Sequence, residues 1–217
     1  MKVLIFDCET TGLPRHRHVD IKNTCDWPFI VQLSWIVFDT SRNKLDKMRD
    51  EVVHLPQGLG ICKESIRIHG ITNEKMLREG VNIKSLLKEF IKDAKQCTIL
   101  IAHNIDFDRK VIIVEQIRNN MRETCWLYNL RKKEYCTMKE GVLSCNIMIK
   151  DKYTGKMKLK FPKLSELHKH QFGTIPSGLH NSLVDILVCF RCFGKLYWGV
   201  DILTKNRQLN MFYHELC

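Results

Sequence analysis

Two carboxylates set two residues apart, Asp7 and Glu9, close an apolar run that starts at Val3 and is broken by Thr10-Thr11-Gly12. On an extended chain side chains alternate, so Val3, Ile5, Asp7 and Glu9 share one face and Leu4, Phe6 and Cys8 the other. Acids placed like this repel: at ~4 Å and an effective dielectric of ~20, each like-charge pair costs about 4 kcal/mol. A cation is needed to offset that cost, and clustered carboxylate oxygens suit Mg²⁺ or Mn²⁺. An isolated D-x-E is more often a pair of solvated turn acids. Three residues far downstream, Asp108, His180 and Asp185, change that reading. Four carboxylates and a histidine are the parts of a metal-assisted phosphodiester hydrolysis. Two cations ~3.5–4 Å apart would clamp the scissile phosphate, and the histidine would take a proton from the attacking water.

These residues need elements to carry them. The run from Val3 reads as a buried strand ending in the acids, and residues 14–28 as a loop with an exposed Arg15-His16-Arg17-His18 patch. Phe29 to Phe38 is a second strand, apolar on both faces, and Asp39 to Asn43 a turn; Met48 to His54 reads as a third strand. Short connections between these three predict an antiparallel meander at one side of a sheet. Ile61 to His69 is a short amphipathic helix closed by Gly70, and Thr72-Asn73-Glu74 opens another. Ile83, Leu86, Leu87, Phe90 and Ile91 fall on one face of a helix over residues 83–94. Thr98 to Ala102 is a short buried strand that runs into His103-Asn104-Ile105-Asp106-Phe107-Asp108 and then a helix through Val111 and Ile117. A strand, a polar turn and a helix in that order is where α/β folds place chemistry, at the carboxyl edge of the sheet. Leu164 to Phe172 is a helix ended by Gly173, and Ser182 is expected to cap a long apolar helix reaching about Tyr197. His180 then precedes that helix and Asp185 lies in its first turn, so both reach one cleft. The last residues, Asn206 to Cys217, suggest no task.

Composition narrows the class. The chain has 217 residues, 44% of them hydrophobic and 27% charged, ordinary values for one water-facing domain with a full core. An excess of 11 positive charges favours a polyanionic partner. Lys150, Lys152, Lys156, Lys158, Lys160 and Lys163 surround Tyr-Thr-Gly and read as an exposed hairpin or insertion around 145–163. Such a cluster is commonly a solvated surface, and here it also suits a nucleic-acid backbone. Several of the ten cysteines sit inside apolar runs, where buried free thiols belong. Cys189-x-x-Cys192 has no second pair at zinc spacing, so no zinc is expected. A first strand beginning at residue 2 argues against a signal peptide, and no apolar run is long enough to cross a membrane. The expected setting is a reducing one, cytoplasm or nucleus.

Three stretches together resemble the DEDDh-type 3′–5′ exonucleases of the DnaQ-like group. Asp7-Cys8-Glu9-Thr10-Thr11-Gly12-Leu13 is similar to the first exonuclease motif, and His103-Asn104-Ile105-Asp106-Phe107-Asp108 to the second. His180-Asn181-Ser182-Leu183-Val184-Asp185 resembles the third, with Ser where a small Ala is usual; Ile68-His69-Gly70-Ile71-Thr72 resembles the family's H-G-I-T element. The resemblance covers residues 1 to about 197. It implies a ribonuclease H-like α/β fold: a central mixed sheet, antiparallel then parallel, with helices on both faces. It further implies two Mg²⁺ or Mn²⁺ ions, with Asp7 bridging both, Glu9 and Asp185 completing the tighter site, Asp108 holding the second ion through water, and His180 as general base. Thr10, Thr11 and Leu13 match the segment that meets the terminal nucleotide, and His103 and Asn104 of the second motif are further candidates for substrate contact. For His103 a packing or backbone-bonding role is the stronger expectation. Asp106 is expected to be solvated at its helix start, His69 to be structural, and His54, His168 and His170 to lie on the surface. Cys136-Thr137 stands where relatives often carry Asp-Thr.

The implied activity is release of nucleoside 5′-monophosphates from a nucleic-acid 3′ end, DNA first, single-stranded ends preferred. The alternatives are an exoribonuclease trimming RNA, or a silent nucleic-acid-binding module. Association with a polymerase, and a monomer or homodimer, are compatible with the resemblance.

Overall fold

The computed structural model describes residues 1–121, 126, 130 and 132–217. The sheet grows from the central strand β1 (Lys2–Thr10), whose burial leaves only Lys2 and the two acids partly open. β2 (Ile30–Asp39) is buried along its whole length, as its two-sided apolar sequence requires, and lies antiparallel to β1 with Asp7 opposite Ser34 and Glu9 opposite Gln32. β3 (Lys44–Val52) is the antiparallel edge. It begins four residues before Met48. Its charged, half-exposed residues hide it from a hydrophobicity pattern, and pairing to β2 is what makes it a strand.

Three helices follow: α1 (Lys63–His69), α2 (Asn73–Glu79) and α3 (Ile83–Gln96). Gly70 ends α1 in the left-handed region at φ 73°, and the Thr72 side chain accepts from Lys75 N–H to start α2. Then β4 (Ile99–Ala102) enters parallel to β1, α4 (Ile105–Arg118) crosses back, and β5 (Lys133–Cys136) lies parallel beyond β4. The strand order is β3-β2-β1-β4-β5, antiparallel on one side of β1 and parallel on the other. Next come α5 (Thr137–Cys145), a separate hairpin of β6 (Met148–Lys150) and β7 (Met157–Leu159), α6 (Leu164–Phe172), α7 (Ser182–Phe193) and α8 (Arg207–Leu216). The hairpin expectation for the lysine-rich stretch is therefore met, while Cys125 and Tyr128 lie outside the described residues.

The alternation read from β1 assigns its two cores. Leu4, Phe6 and Cys8 pack with Leu87 and Phe90 of α3 and Val111 and Ile112 of α4. Val3 and Ile5 pack with Ile186, Phe190 and Phe193 of α7 and Leu209 of α8. Asp7 and Glu9 continue the second set, so they project toward the face that α7 covers, and the first turn of α7 carries Asp185.

Two expectations are corrected here. The cap of α7 is Asn181, whose carbonyl oxygen accepts from Leu183 and Val184 N–H, and not Ser182, which is the first helical residue. His168 is fully buried and not at the surface. Its Nδ1 bonds the Thr174 carbonyl at 2.8 Å and its Nε2 the Tyr213 hydroxyl at 2.7 Å, with Arg191 3.3 Å away. α8 brings Tyr213 to it from 45 residues on, which no local pattern announces. His54 and His170 are exposed, as expected.

Candidate active site

β1 outruns β4: their pairing ends at Ile5 opposite Ile101, and the acids lie beyond it, on a stretch that is still paired to β2 but no longer to β4. A shift in register between Glu9 and Thr10 then turns the chain out of the sheet. Carboxylate oxygens of Asp7, Glu9 and Asp185 all lie within 4.8 Å of one another. Asp108, in the first turn of α4, is buried beside them, and its Oδ1 accepts the Cys8 N–H at 3.2 Å. That bond replaces the strand partner β4 no longer supplies.

Among the described residues, no Lys, Arg or His side chain forms an ion pair with any of these four acids. Burial first, then the charges of Asp108, Asp185 and Glu9, holds the Asp7 carboxyl well above its ordinary range. Glu9 is pushed up to about 8 by burial and by Asp185 and Asp108. Burial raises Asp108 to about 8, opposed by the N–H groups of Cys8 and of Asp108 itself. Asp185 rises to about 7 through burial, opposed by the His180 N–H at 3.2 Å. Oxygen donors that are crowded, desolvated and without a counter-charge fit a hard divalent cation. The residues present therefore suit Mg²⁺ or Mn²⁺, with Asp7, Glu9 and Asp185 as the converging donors and Asp108 at their side.

His180 is held differently. Its backbone sits in the left-handed region at φ 70°, uncommon for a residue with a Cβ, and its amide points at Asp185. The ring is exposed and lies outside the converging donor set. The loop bearing it is tied to the end of the last helix, where the Cys217 carbonyl accepts from Ser177 N–H at 3.0 Å and from its hydroxyl at 2.5 Å.

The segment after the acids is pinned from three sides. Thr11 exchanges bonds with Phe29 (N–H to carbonyl 2.9 Å, Phe29 N–H to Oγ1 3.0 Å), and its carbonyl accepts from Ser65 at 2.9 Å. Thr10 Oγ1 donates to the Gly12 carbonyl at 2.6 Å. Leu13 stands 81% exposed at the rim of a cleft of about 430 Å³ shared with Arg15 and Trp27. A larger cleft of about 560 Å³, lined by Phe29, Glu115 and Arg118, contains none of Asp7, Glu9, Asp108 and Asp185. Both ring nitrogens of His103 are engaged, Nδ1 with Thr137 Oγ1 at 3.0 Å and Nε2 with the Pro162 carbonyl at 3.1 Å. Asn104 takes a left-handed conformation at φ 71° to start α4. Asp106 points at Arg109 and Lys110, 2.6 and 2.7 Å away, and so is not one of the clustered acids. His69 is buried, with Nδ1 accepting from Ile71 N–H at 3.1 Å.

A polar support under the cluster was not anticipated from sequence. The Ser182 hydroxyl reaches the Asp7 carbonyl at 3.3 Å and the Ser34 hydroxyl; Ser34 donates to Asp50 at 2.6 Å, and Gln32 Nε2 to Asp50 at 2.7 Å. Gln32 Oε1 in turn accepts the Ser182 N–H at 3.3 Å. The signal available was Ser182 itself, a hydroxyl where the third motif ordinarily has none.

The model of an exonuclease family, RNase T, matches residues 4–193. The chain belongs to the RNase T exonuclease family. Its fold is the ribonuclease H-like fold of the DnaQ-like exonucleases. Among solved structures, Exonuclease I of E. coli in complex with a dT13 oligonucleotide is similar with a TM-score of 0.66 at 16% identity, covering 97% of this chain and 45% of that one. The same enzyme in complex with a dA16 oligonucleotide gives 0.63 at 17% identity, with 97% and 45% covered. A product-bound exonuclease I structure gives 0.61 at 16% identity, with 97% and 48% covered. This exonuclease-family chain thus spans less than half the length of those proteins, and at such identities the likeness is one of fold. No curated protein matches it in sequence. Among the described residues, no helix is long and apolar enough to cross a membrane.

Proposed function

We propose that this protein is a metal-dependent 3′–5′ exonuclease that releases nucleoside 5′-monophosphates from nucleic-acid 3′ ends, DNA foremost, by two-metal-ion hydrolysis. The observation that carries the reading is the convergence of Asp7, Glu9 and Asp185 within 4.8 Å, with Asp108 buried beside them and, among the described residues, no cationic side chain paired to them. Asp7, Glu9, Asp108 and Asp185 would hold two Mg²⁺ or Mn²⁺ ions, which when bound supply positive charge to the scissile phosphate and to the attacking water. The chain's own groups do the rest. Asp108 is oriented by the Cys8 amide and Asp185 by the His180 amide, so neither carboxylate has to reorganise. The His180 ring, exposed and without a hydrogen-bond partner among the described residues, on a residue whose amide meets Asp185, takes the proton from the attacking water. Thr10 to Leu13, fixed through Thr11 to Phe29 and Ser65, receives the terminal nucleotide, with Leu13 set against its base. Exonuclease I, with the same fold, was solved with oligonucleotides bound, which supports a single-stranded end as substrate.

The test is digestion of matched 5′-labelled single-stranded DNA and RNA oligomers by purified protein with Mg²⁺ or Mn²⁺, products read as a ladder and as mononucleotides. Stepwise shortening from the 3′ end that stops with EDTA is the expected result. Faster digestion of the RNA would make the enzyme an exoribonuclease. Tight binding with no metal-dependent shortening of either oligomer would overturn the proposal.

A further inference from the structure

We infer that the β6–β7 hairpin is a second contact for the substrate strand, gripping single-stranded nucleic acid upstream of the 3′ end; this rests on the exonuclease reading above. The hairpin is built to present its tip. Asp151 Oδ1 accepts from the N–H groups of both Tyr153 and Thr154 at 2.9 Å, its carbonyl accepts the Gly155 N–H at 2.9 Å, and Gly155 turns the chain at φ 69°. That capped turn leaves Tyr153 98% exposed, the most open large hydrophobic residue among the described ones.

Around the ring lie lysines of two kinds. Lys158 is paired with Asp151 and Lys160 with Glu166, so they serve the hairpin itself. Lys150, Lys152 and Lys156 are exposed, and among the described residues none of them has a carboxylate partner. The Lys150 side chain lies against the turn, near where a Cβ on Gly155 would stand, which brings its charge to the tip. An open aromatic ring flanked by unpaired cations is the combination that binds single strands: the base stacks and the phosphates meet ammonium groups.

The root places this device beside the acids. The Pro162 carbonyl, just past β7, accepts from His103 Nε2 at 3.1 Å, at the carboxyl end of β4, the sheet edge on which Asp7 and Glu9 also stand. From that root the arm spans about five residues, roughly 17 Å at strand spacing. A strand entering with its 3′ end at the acids therefore meets the tip only if it is several nucleotides long.

The test uses the full chain and compares a 20-nucleotide single strand with a trinucleotide. Lys150→Gln, Lys152→Gln and Lys156→Gln combined, and Tyr153→Ala alone, should each lower kcat/KM on the 20-mer about tenfold and leave the trinucleotide unchanged; Tyr153→Phe should keep the wild-type value. The triple variant should also make the dependence of log affinity on log salt shallower by about 2, near 0.7 per lost phosphate contact on single strands. Unchanged 20-mer kinetics, or an equal loss on both lengths, would overturn the inference. Fluorescence anisotropy of the 20-mer in EDTA separates the two readings. If wild type hydrolyses nothing yet the triple variant binds more weakly, the exonuclease reading falls and the hairpin contact stands. Equal binding by both, or a loss seen only against anionic vesicles, removes the hairpin contact.

Discussion

The backbone amide of Cys8 and the carboxylate of Asp108, a hundred residues apart in sequence, are joined by a hydrogen bond of 3.2 Å. It fixes an acid of α4 against the strand that carries Asp7 and Glu9, so one bond sets the spacing between two parts of the site. Asp108→Asn keeps an acceptor for the Cys8 amide and should fold while losing activity. Asp108→Ala leaves that buried amide unpaired and should cost about 1–3 kcal/mol of stability relative to Asn. Thermal unfolding of the two variants side by side checks this; equal midpoints would mean the bond has no structural weight.

Asp7→Asn and Asp185→Asn each remove a converging donor and one uncompensated charge. Activity should fall by roughly 10³-fold or more, since several kcal/mol of charge stabilisation are lost. Without divalent ions, however, both variants should be more stable than wild type. Saturating Mg²⁺ or Mn²⁺ should raise the wild-type midpoint by several degrees, because ligation at about a hundred times Kd stabilises by ~2.7 kcal/mol. Differential scanning calorimetry with and without the ion is the measurement. A metal response in Asp7→Asn as large as in wild type would place the ion elsewhere.

Ser182→Ala deletes the hydroxyl between the Asp7 carbonyl and Ser34 while leaving Ser34 bonded to Asp50. Stability should drop by about 1 kcal/mol, the ordinary net worth of one buried hydrogen bond. Activity should stay within tenfold, since no donor carboxylate is touched. Chemical denaturation together with kcat on an oligonucleotide decides it. An unchanged midpoint would show that the hydroxyl carries none of the load.

His103 gives the pH dependence. Burial holds its pKa down at about 4 against the ordinary 6.5, opposed by the Pro162 carbonyl. The folded state thus binds this proton less readily than the unfolded one, so its contribution is present above pH ~6.5 and is lost as pH falls toward 4. The wild-type advantage over His103→Gln should shrink across that window by a total on the order of 3 kcal/mol. Unfolding midpoints of both proteins from pH 7 to 4 test the sign; an advantage that grew with acid would refute it.

What the sequence settled by itself is local. Alternation along Val3 to Glu9 is a property of the extended chain, so the two cores of β1 and the side from which the acids project follow directly. Gly70 and Gly173 end their helices because both need the left-handed region, which glycine enters freely. The resemblance to the second exonuclease motif selects Asp108 over Asp106 as a metal ligand; in the structure Asp106 is held on Arg109 and Lys110.

Tertiary structure decided what depends on a distant partner. β3 is a strand from Lys44 because β2 offers it an edge, although its own residues are charged. His168 is interior because Tyr213 and Arg191 arrive from α8 and α7 to satisfy its ring, and burial of a polar group is decided by such partners. Asn181 caps α7 because its amide oxygen reaches two backbone N–H groups, which frees Ser182 to bond the strand beneath Asp7, 175 residues earlier. Periodicity reports which face of an element is apolar. Only the packed chain fixes which hydrogen-bonding groups that face will meet.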